Sequence, residues 1–115
     1  MSRQDRKERR RAKKKRDEGF KLKWKSKYAE ALAAYKEALS IYRSLDDAFE
    51  QSSCLNDIGA VLRELGRYEE AVEAYRQALE VYRRVGDGQE DQGDCLEEGM
   101  RELRDAMRSH EEDAR

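Results

Sequence analysis

Residues 28–43 read YAEALAAYKEALSIYR and residues 68–83 read YEEAVEAYRQALEVYR, two segments forty residues apart with nine identities in sixteen positions. All six tyrosines fall in them, at Tyr28, Tyr35 and Tyr42 and again at Tyr68, Tyr75 and Tyr82. Leu32/Val72, Lys36/Arg76 and Ile41/Val81 are near-equivalents. A fixed offset of this kind means stacked copies of one supersecondary unit. Within each copy Ala31, Ala34, Ala38 and Leu39, or Ala71, Ala74, Ala78 and Leu79, form a small-residue face at helical spacing, which lets a neighbouring helix approach closely. The tyrosines between them read as core residues whose hydroxyls reach the rim.

The offset extends beyond these helices. Gly19, Gly59 and Gly99 are evenly spaced, and Leu22/Leu62, Ser26/Gly66, Lys27/Arg67 and Asp47/Asp87 keep the same interval. Each unit therefore reads as helix A, short turn, helix B. Glycine inside a helix costs about 1 kcal/mol relative to alanine, so Gly19 and Gly59 are expected where a side chain would strike the next helix. Gly66 stands where a left-handed residue closes a helix, and Asp47 and Asp87, each with a glutamate three residues on, read as N-caps. Five helices are expected, at about 5–25, 28–44, 48–65, 68–84 and 90–109. The fold class is all-α: about two and a half helix-turn-helix repeats in a right-handed solenoid. The fifth helix, with Leu96, Met100, Leu103 and Met107 on one stripe, is expected to cap the C-terminal end. The expected organisation is a basic arm at 1–11, the repeat domain at 12–107 and a polar acidic tail at 108–115.

Composition agrees with amphipathic helices that keep solvated faces. Hydrophobic residues make up 37% and charged residues 44%, and there is no proline. The net charge of −1 hides a polarity: residues 1–27 carry fourteen Lys/Arg against four Asp/Glu, leaving eleven against twenty-two for the rest. Such a dipole bears on partners and encounter rates rather than on fold. The longest apolar stretch, Ala31 to Tyr35, is too short for a membrane span, and the charged N-terminus does not resemble a secretory signal. An intracellular, cytoplasmic protein is expected, with Cys54 and Cys95 as reduced, half-buried thiols.

These residues resemble the tetratricopeptide repeat. Leu55, Ile58, Gly59, Leu62, Gly66, Tyr68, Ala71, Tyr75, Ala78 and Leu79 match its pattern in the second unit. Gly19, Leu22, Tyr28, Ala31, Tyr35, Ala38 and Leu39 match it in the first, where Lys15 and Glu18 replace two large apolar residues. The forty-residue unit, with Arg43 and Arg83 at the usual proline positions, is similar to the repeats of kinesin light chains and of LGN-type spindle-orientation adaptors. The resemblance implies a protein-interaction module, an adaptor or scaffold, whose A helices line a concave groove holding a peptide. Carried over residue by residue, the groove positions are Lys13, Arg16, Phe20, Lys23 and Trp24 from the first unit and Ser53, Asn56, Ala60, Arg63 and Glu64 from the second. Asn56 suits an extended peptide because an amide both donates and accepts. The dicarboxylate clamp of chaperone-binding relatives needs asparagines where Phe20 and Asp57 stand.

The run RRRAKKKR at 9–16 has three readings: a nuclear targeting signal in a nucleated cell, a phosphate-binding patch, and a solvated extension of the first helix. Phe20 and Trp24, four apart among lysines, suit either packing or stacking on unpaired bases. GDGQEDQGD at 86–94 lacks the central glycine of a calcium loop. His110 is the only histidine and lies in the polar tail, no zinc or redox motif occurs, and no enzyme, metal or cofactor is expected. The expected function is capture of a peptide, acidic by complementarity, in the groove. The alternatives are nucleic-acid binding through residues 3–27 and self-assembly of basic N-terminus on acidic C-terminal third.

Overall fold

Helix α1, Arg3–Trp24, opens on Ser2, whose hydroxyl accepts the Asp5 backbone N–H at 3.1 Å. It is followed by α2 (Tyr28–Ser44), α3 (Ala48–Glu64) and α4 (Tyr68–Val85). This computed structural model describes residues 2–85 together with residues 98, 100, 101, 104, 105 and 108. Helix packing follows chain order: α1 on α2, α2 on α3, α3 on α4. The expectation of five helices is corrected to four among the described residues. The pattern that writes the B helices, Gly-x-Tyr-x-x-Ala, is not repeated after Val85. The expected capping helix, Cys95 and the Asp87 cap lie wholly or mostly outside the described residues. The six described residues beyond Val85 are helical, and Met100 is buried with the core.

Three connections join the four helices, and all are the same turn. Lys27 N–H donates to the Leu22 carbonyl at 2.9 Å and Ser26 N–H to that of Lys23 at 2.9 Å. Asp47 and Asp46 bond Tyr42 and Arg43 at 3.1 Å each, and Arg67 and Gly66 bond Leu62 and Arg63 at 2.9 and 3.0 Å. This double closure of the last carbonyls requires a left-handed residue just past each helix. Ser26 (φ 59°), Asp46 (φ 54°) and Gly66 (φ 75°) take that conformation. Asp47 then caps α3, accepting the Glu50 N–H at 3.2 Å. Glu50 does not return the bond, because its carboxylate is turned to Arg16.

The repeat appears in the core as a contact made twice. A β-carbon placed on Gly19 would lie 2.8 Å from Cε1 of Tyr35, and one on Gly59 would lie 2.8 Å from Cε1 of Tyr75. Both rings are buried, so neither can swing aside. Around them pack Ala31, Ala38, Leu39, Ala71, Ala78 and Leu79. Between the units Cys54 and Val61 of α3 are fully buried, which corrects the expectation of a half-buried Cys54. The hydroxyl of Ser52, a buried polar residue, donates to the Ala78 carbonyl at 3.2 Å and ties α3 to α4.

Two outcomes follow for stability. Gly59→Ala gains about 1 kcal/mol of helix propensity but overpacks against the Tyr75 ring, a cost of about 1–3 kcal/mol, so urea denaturation should show a net loss. In a Tyr75→Leu background the same change should be neutral or stabilising, and additive losses would contradict the contact. Ser26→Gly relieves about 1–2 kcal/mol of left-handed strain against about 0.5–1 kcal/mol of added chain entropy, and should raise the melting temperature slightly.

Candidate functional site

The face shared by α1 and α3 is organised by Arg16. Its Nε donates to Oδ2 of Asp57 at 2.9 Å and its Nη1 to Oε2 of Glu50 at 3.4 Å, so one guanidinium bridges the two A helices. About two turns towards the N-terminus Arg9 pairs with Asp47, the α3 N-cap. Lys15 lies between Glu18 of its own helix, at 3.6 Å, and Glu37 of α2, at 3.3 Å. These bonds supply across α1 the attachment that Lys15 and Glu18 cannot supply by apolar packing.

The bridge is partly desolvated, and the groups around it show this. Burial raises the Asp57 carboxyl above its ordinary range, and Arg16 draws it only part of the way back. Burial likewise works against the charge on Arg16, but the Asp57 carboxylate outweighs it and keeps the guanidinium above its ordinary pKa. Burial pushes the Tyr35 and Tyr42 hydroxyls up to about 12, and the Cys54 thiol to about 12. Asp57 raises Tyr35 and Glu50 raises Tyr42, while Arg16 lowers both, so both hydroxyls lie in the field of the bridge.

Among the described residues two concavities open on this face. The larger, of about 630 Å³, is lined by Arg6, Arg9, Arg10, Lys13, Arg16 and Asp17 of α1, by Tyr42 of α2 and by Glu50 of α3. The smaller, of about 320 Å³, lies at the C-terminal end of α1 between Phe20, Lys23, Trp24, Ser26, Tyr28 and Glu64. Phe20 and Trp24 meet edge to face, with ring centroids 6.1 Å apart, and remain 55% and 76% exposed. Of the groove positions named from sequence, Lys13 and Arg16 line the larger concavity, and Phe20, Lys23, Trp24 and Glu64 the smaller. Asn56 and Arg63 are exposed on α3, and Ser53 and Ala60 are half-buried there; none of these four lines either concavity. The Ser53 hydroxyl is turned to its own helix, donating to the Phe49 carbonyl at 3.3 Å.

The family model for the tetratricopeptide repeat matches residues 21–84. The chain belongs to the tetratricopeptide-repeat family. No curated protein matches it. Tetratricopeptide repeats mediate protein–protein interaction and form a non-catalytic repeat module. In that frame α1 and α3 are the A helices and α2 and α4 the B helices, while residues 3–20 of α1 precede the matched region. No helix among the described residues is long and apolar enough to cross a membrane.

Sequence reasoning missed Arg6, Arg9, Arg10, Asp17, Tyr42 and Glu50 as lining residues. The α1 members were discoverable, since Arg6, Arg9/Arg10, Lys13 and Arg16/Asp17 recur every three or four positions along one face. Tyr42 reads from sequence as a core residue with its hydroxyl at the rim; it is buried, and it also lines the concavity.

The tyrosine and thiol values carry an alkaline signature. Folding holds these protons more tightly than the ordinary values of 10.0 for tyrosine and 9.0 for cysteine. The stability they confer is whole below about pH 9 and is lost as pH rises through about 12. The melting temperature should fall across that window, and a Tyr42→Phe, Cys54→Ala variant should show a shallower fall.

Proposed function

We propose that this protein captures an acidic peptide segment in the face between α1 and α3. The observation that carries this reading is the larger concavity, where five cationic side chains of α1 converge above Tyr42. Arg9 and Arg16 are already neutralised by α3 carboxylates. Arg6, Arg10 and Lys13 enter no ion pair among the described residues, so the charge offered to a ligand comes from them. Arginine suits carboxylates because its planar fork donates two parallel hydrogen bonds. On α3 the exposed Asn56 amide adds a donor and an acceptor for an extended backbone.

From Arg6 to Trp24 the stripe along α1 measures about 27 Å at ~1.5 Å per residue. An extended peptide of about eight residues covers that length at ~3.3 Å per residue. Anisotropy titration of a fluorescein-labelled, glutamate-rich peptide of about that length should give saturable binding that weakens with salt. The double reversal Arg6→Glu, Lys13→Glu should weaken it roughly tenfold or more, chiefly through a slower association rate. Arg16 is a poor test position because its reversal would break the bridge to α3. Unchanged affinity in the double variant would remove the concavity from the mechanism.

A further inference from the structure

The solvent side of α1 carries a second cationic array, distinct from the concave face. Ala12 and Gly19 are buried and define the side of α1 that packs on α2. On the opposite side Arg3, Lys7, Arg10, Lys14, Asp17, Lys21 and Lys25 follow at steps of three or four, and all are exposed. At about 100° per residue such steps keep one line along a helix, here roughly 33 Å long. Six of its seven members are cations, and among the described residues none of the six is in an ion pair. Arg10 and Asp17, at its edge, also line the concavity.

An exposed first helix accounts for polarity on this side but not for one sign of charge. The forty-residue equivalents show the difference. Lys14 corresponds to Cys54 and Lys21 to Val61, and both α3 residues are fully buried between the two units. A solvated face is built equally well from mixed charges, as the α4 surface is, where Arg76 pairs with Glu73 and Glu80. The ridge instead has one carboxylate, Asp17, and ends beside two exposed aromatic rings, Phe20 and Trp24.

We propose that this ridge binds single-stranded nucleic acid, with phosphates on Arg3, Lys7, Arg10, Lys14, Lys21 and Lys25 and a base stacked on Trp24. A regular line of unpaired cations matches a polymer whose charge repeats along its backbone, and binding of that kind needs no enclosing pocket. An acidic peptide is served by the concavity, where the cations of α1 share the lining with Tyr42 of α2 and Glu50 of α3. The aromatic pair selects a single strand, because only unpaired bases expose a face to stack on. Arg3, Lys7, Arg10 and Lys14 lie outside the region matched by the family model, while Lys21 and Trp24 stand at its start.

The test is anisotropy titration of the full chain with labelled poly(U) and poly(dT) of about 20 nucleotides, and with a duplex of equal length, from about 50 to about 200 mM salt. Single strands should bind more tightly than the duplex. Six phosphate contacts give a slope of log K against log salt of about −4. Lys7→Gln, Lys14→Gln, Lys21→Gln should reduce that slope to about −2 and weaken binding tenfold or more. Trp24→Ala should weaken it at least fivefold with the slope unchanged. These side chains are exposed, so circular dichroism should show unaltered helicity. RNA and DNA arms separate a 2′-hydroxyl preference from backbone recognition, and either order supports the ridge. No binding at the lowest salt overturns the proposal. So does binding that survives the triple lysine variant but is lost with Arg6→Glu, Lys13→Glu, since the ligand would then sit in the concavity.

Discussion

The contact on which the structure depends is a glycine of one helix against the face of a tyrosine ring on the next. It occurs as Gly19 with Tyr35 and as Gly59 with Tyr75, at the same spacing and nearly the same distance. Missing a β-carbon, the A helix lets the ring lie almost on its backbone, which fixes how close the two helices of a unit come. The alanines at 31, 38, 71 and 78 are then the size that the remaining gap admits. Tyr35 also feels Asp57, Arg16 and Cys54, so the ring seated by Gly19 reaches the bridge between the units. Packing inside a unit and electrostatics between units thus meet at one side chain.

Given those contacts, three identical turns do the rest. Each reverses the chain in three residues and closes the preceding carbonyls through a left-handed residue. Only one of the three, Gly66, takes that conformation without steric cost, and no heavy atom lies within 4 Å of where its β-carbon would stand. Asp46 is a residue type that tolerates it, and Ser26 is not favoured there. The strain at Ser26 falls between α1 and α2, where α1 has exchanged core residues for charge. There Lys15 pairs with Glu37 of α2, and Arg9 and Arg16 hold α1 to the second unit.

What the sequence made legible is what repeats or is local. Gly19, Gly59, Gly66, the Asp47 cap and the bounds of four helices follow from periodicity and from the needs of helix ends, and all stand in the structure within a residue or two. The fifth helix was read from Gly99 in register and a stripe of four apolar residues, without the Gly-x-Tyr-x-x-Ala pattern that follows, and four helices is what the described residues show. The pairs Arg9–Asp47 and Arg16–Asp57 were not legible because they span 38 and 41 residues and depend on how one unit is rotated on the next. A forty-residue offset says that two positions are equivalent; it does not say that they face each other. Phe20 and Trp24 were legible as neighbours on one face, but their exposure depends on how far α2 and α3 extend past them.

The charge on α1 would destabilise an isolated helix, since like charges three and four residues apart cost about 0.2–0.5 kcal/mol each. It persists because α3 supplies opposite charge on the concave side, where Asp47, Glu50 and Asp57 neutralise Arg9 and Arg16. Among the described residues the outward side has no such compensation, and it needs none while it faces water. Laying a B helix there, as α2 lies on Cys54 and Val61, would bury Lys14 and Lys21, at several kcal/mol for each unpaired ion. The same substitutions therefore have two effects: they make this face unfit for repeat stacking, and they leave it charged and open. Because the α3 carboxylates hold the helix by its other side, an anion can occupy the outer ridge without competing for the bonds that keep α1 in place.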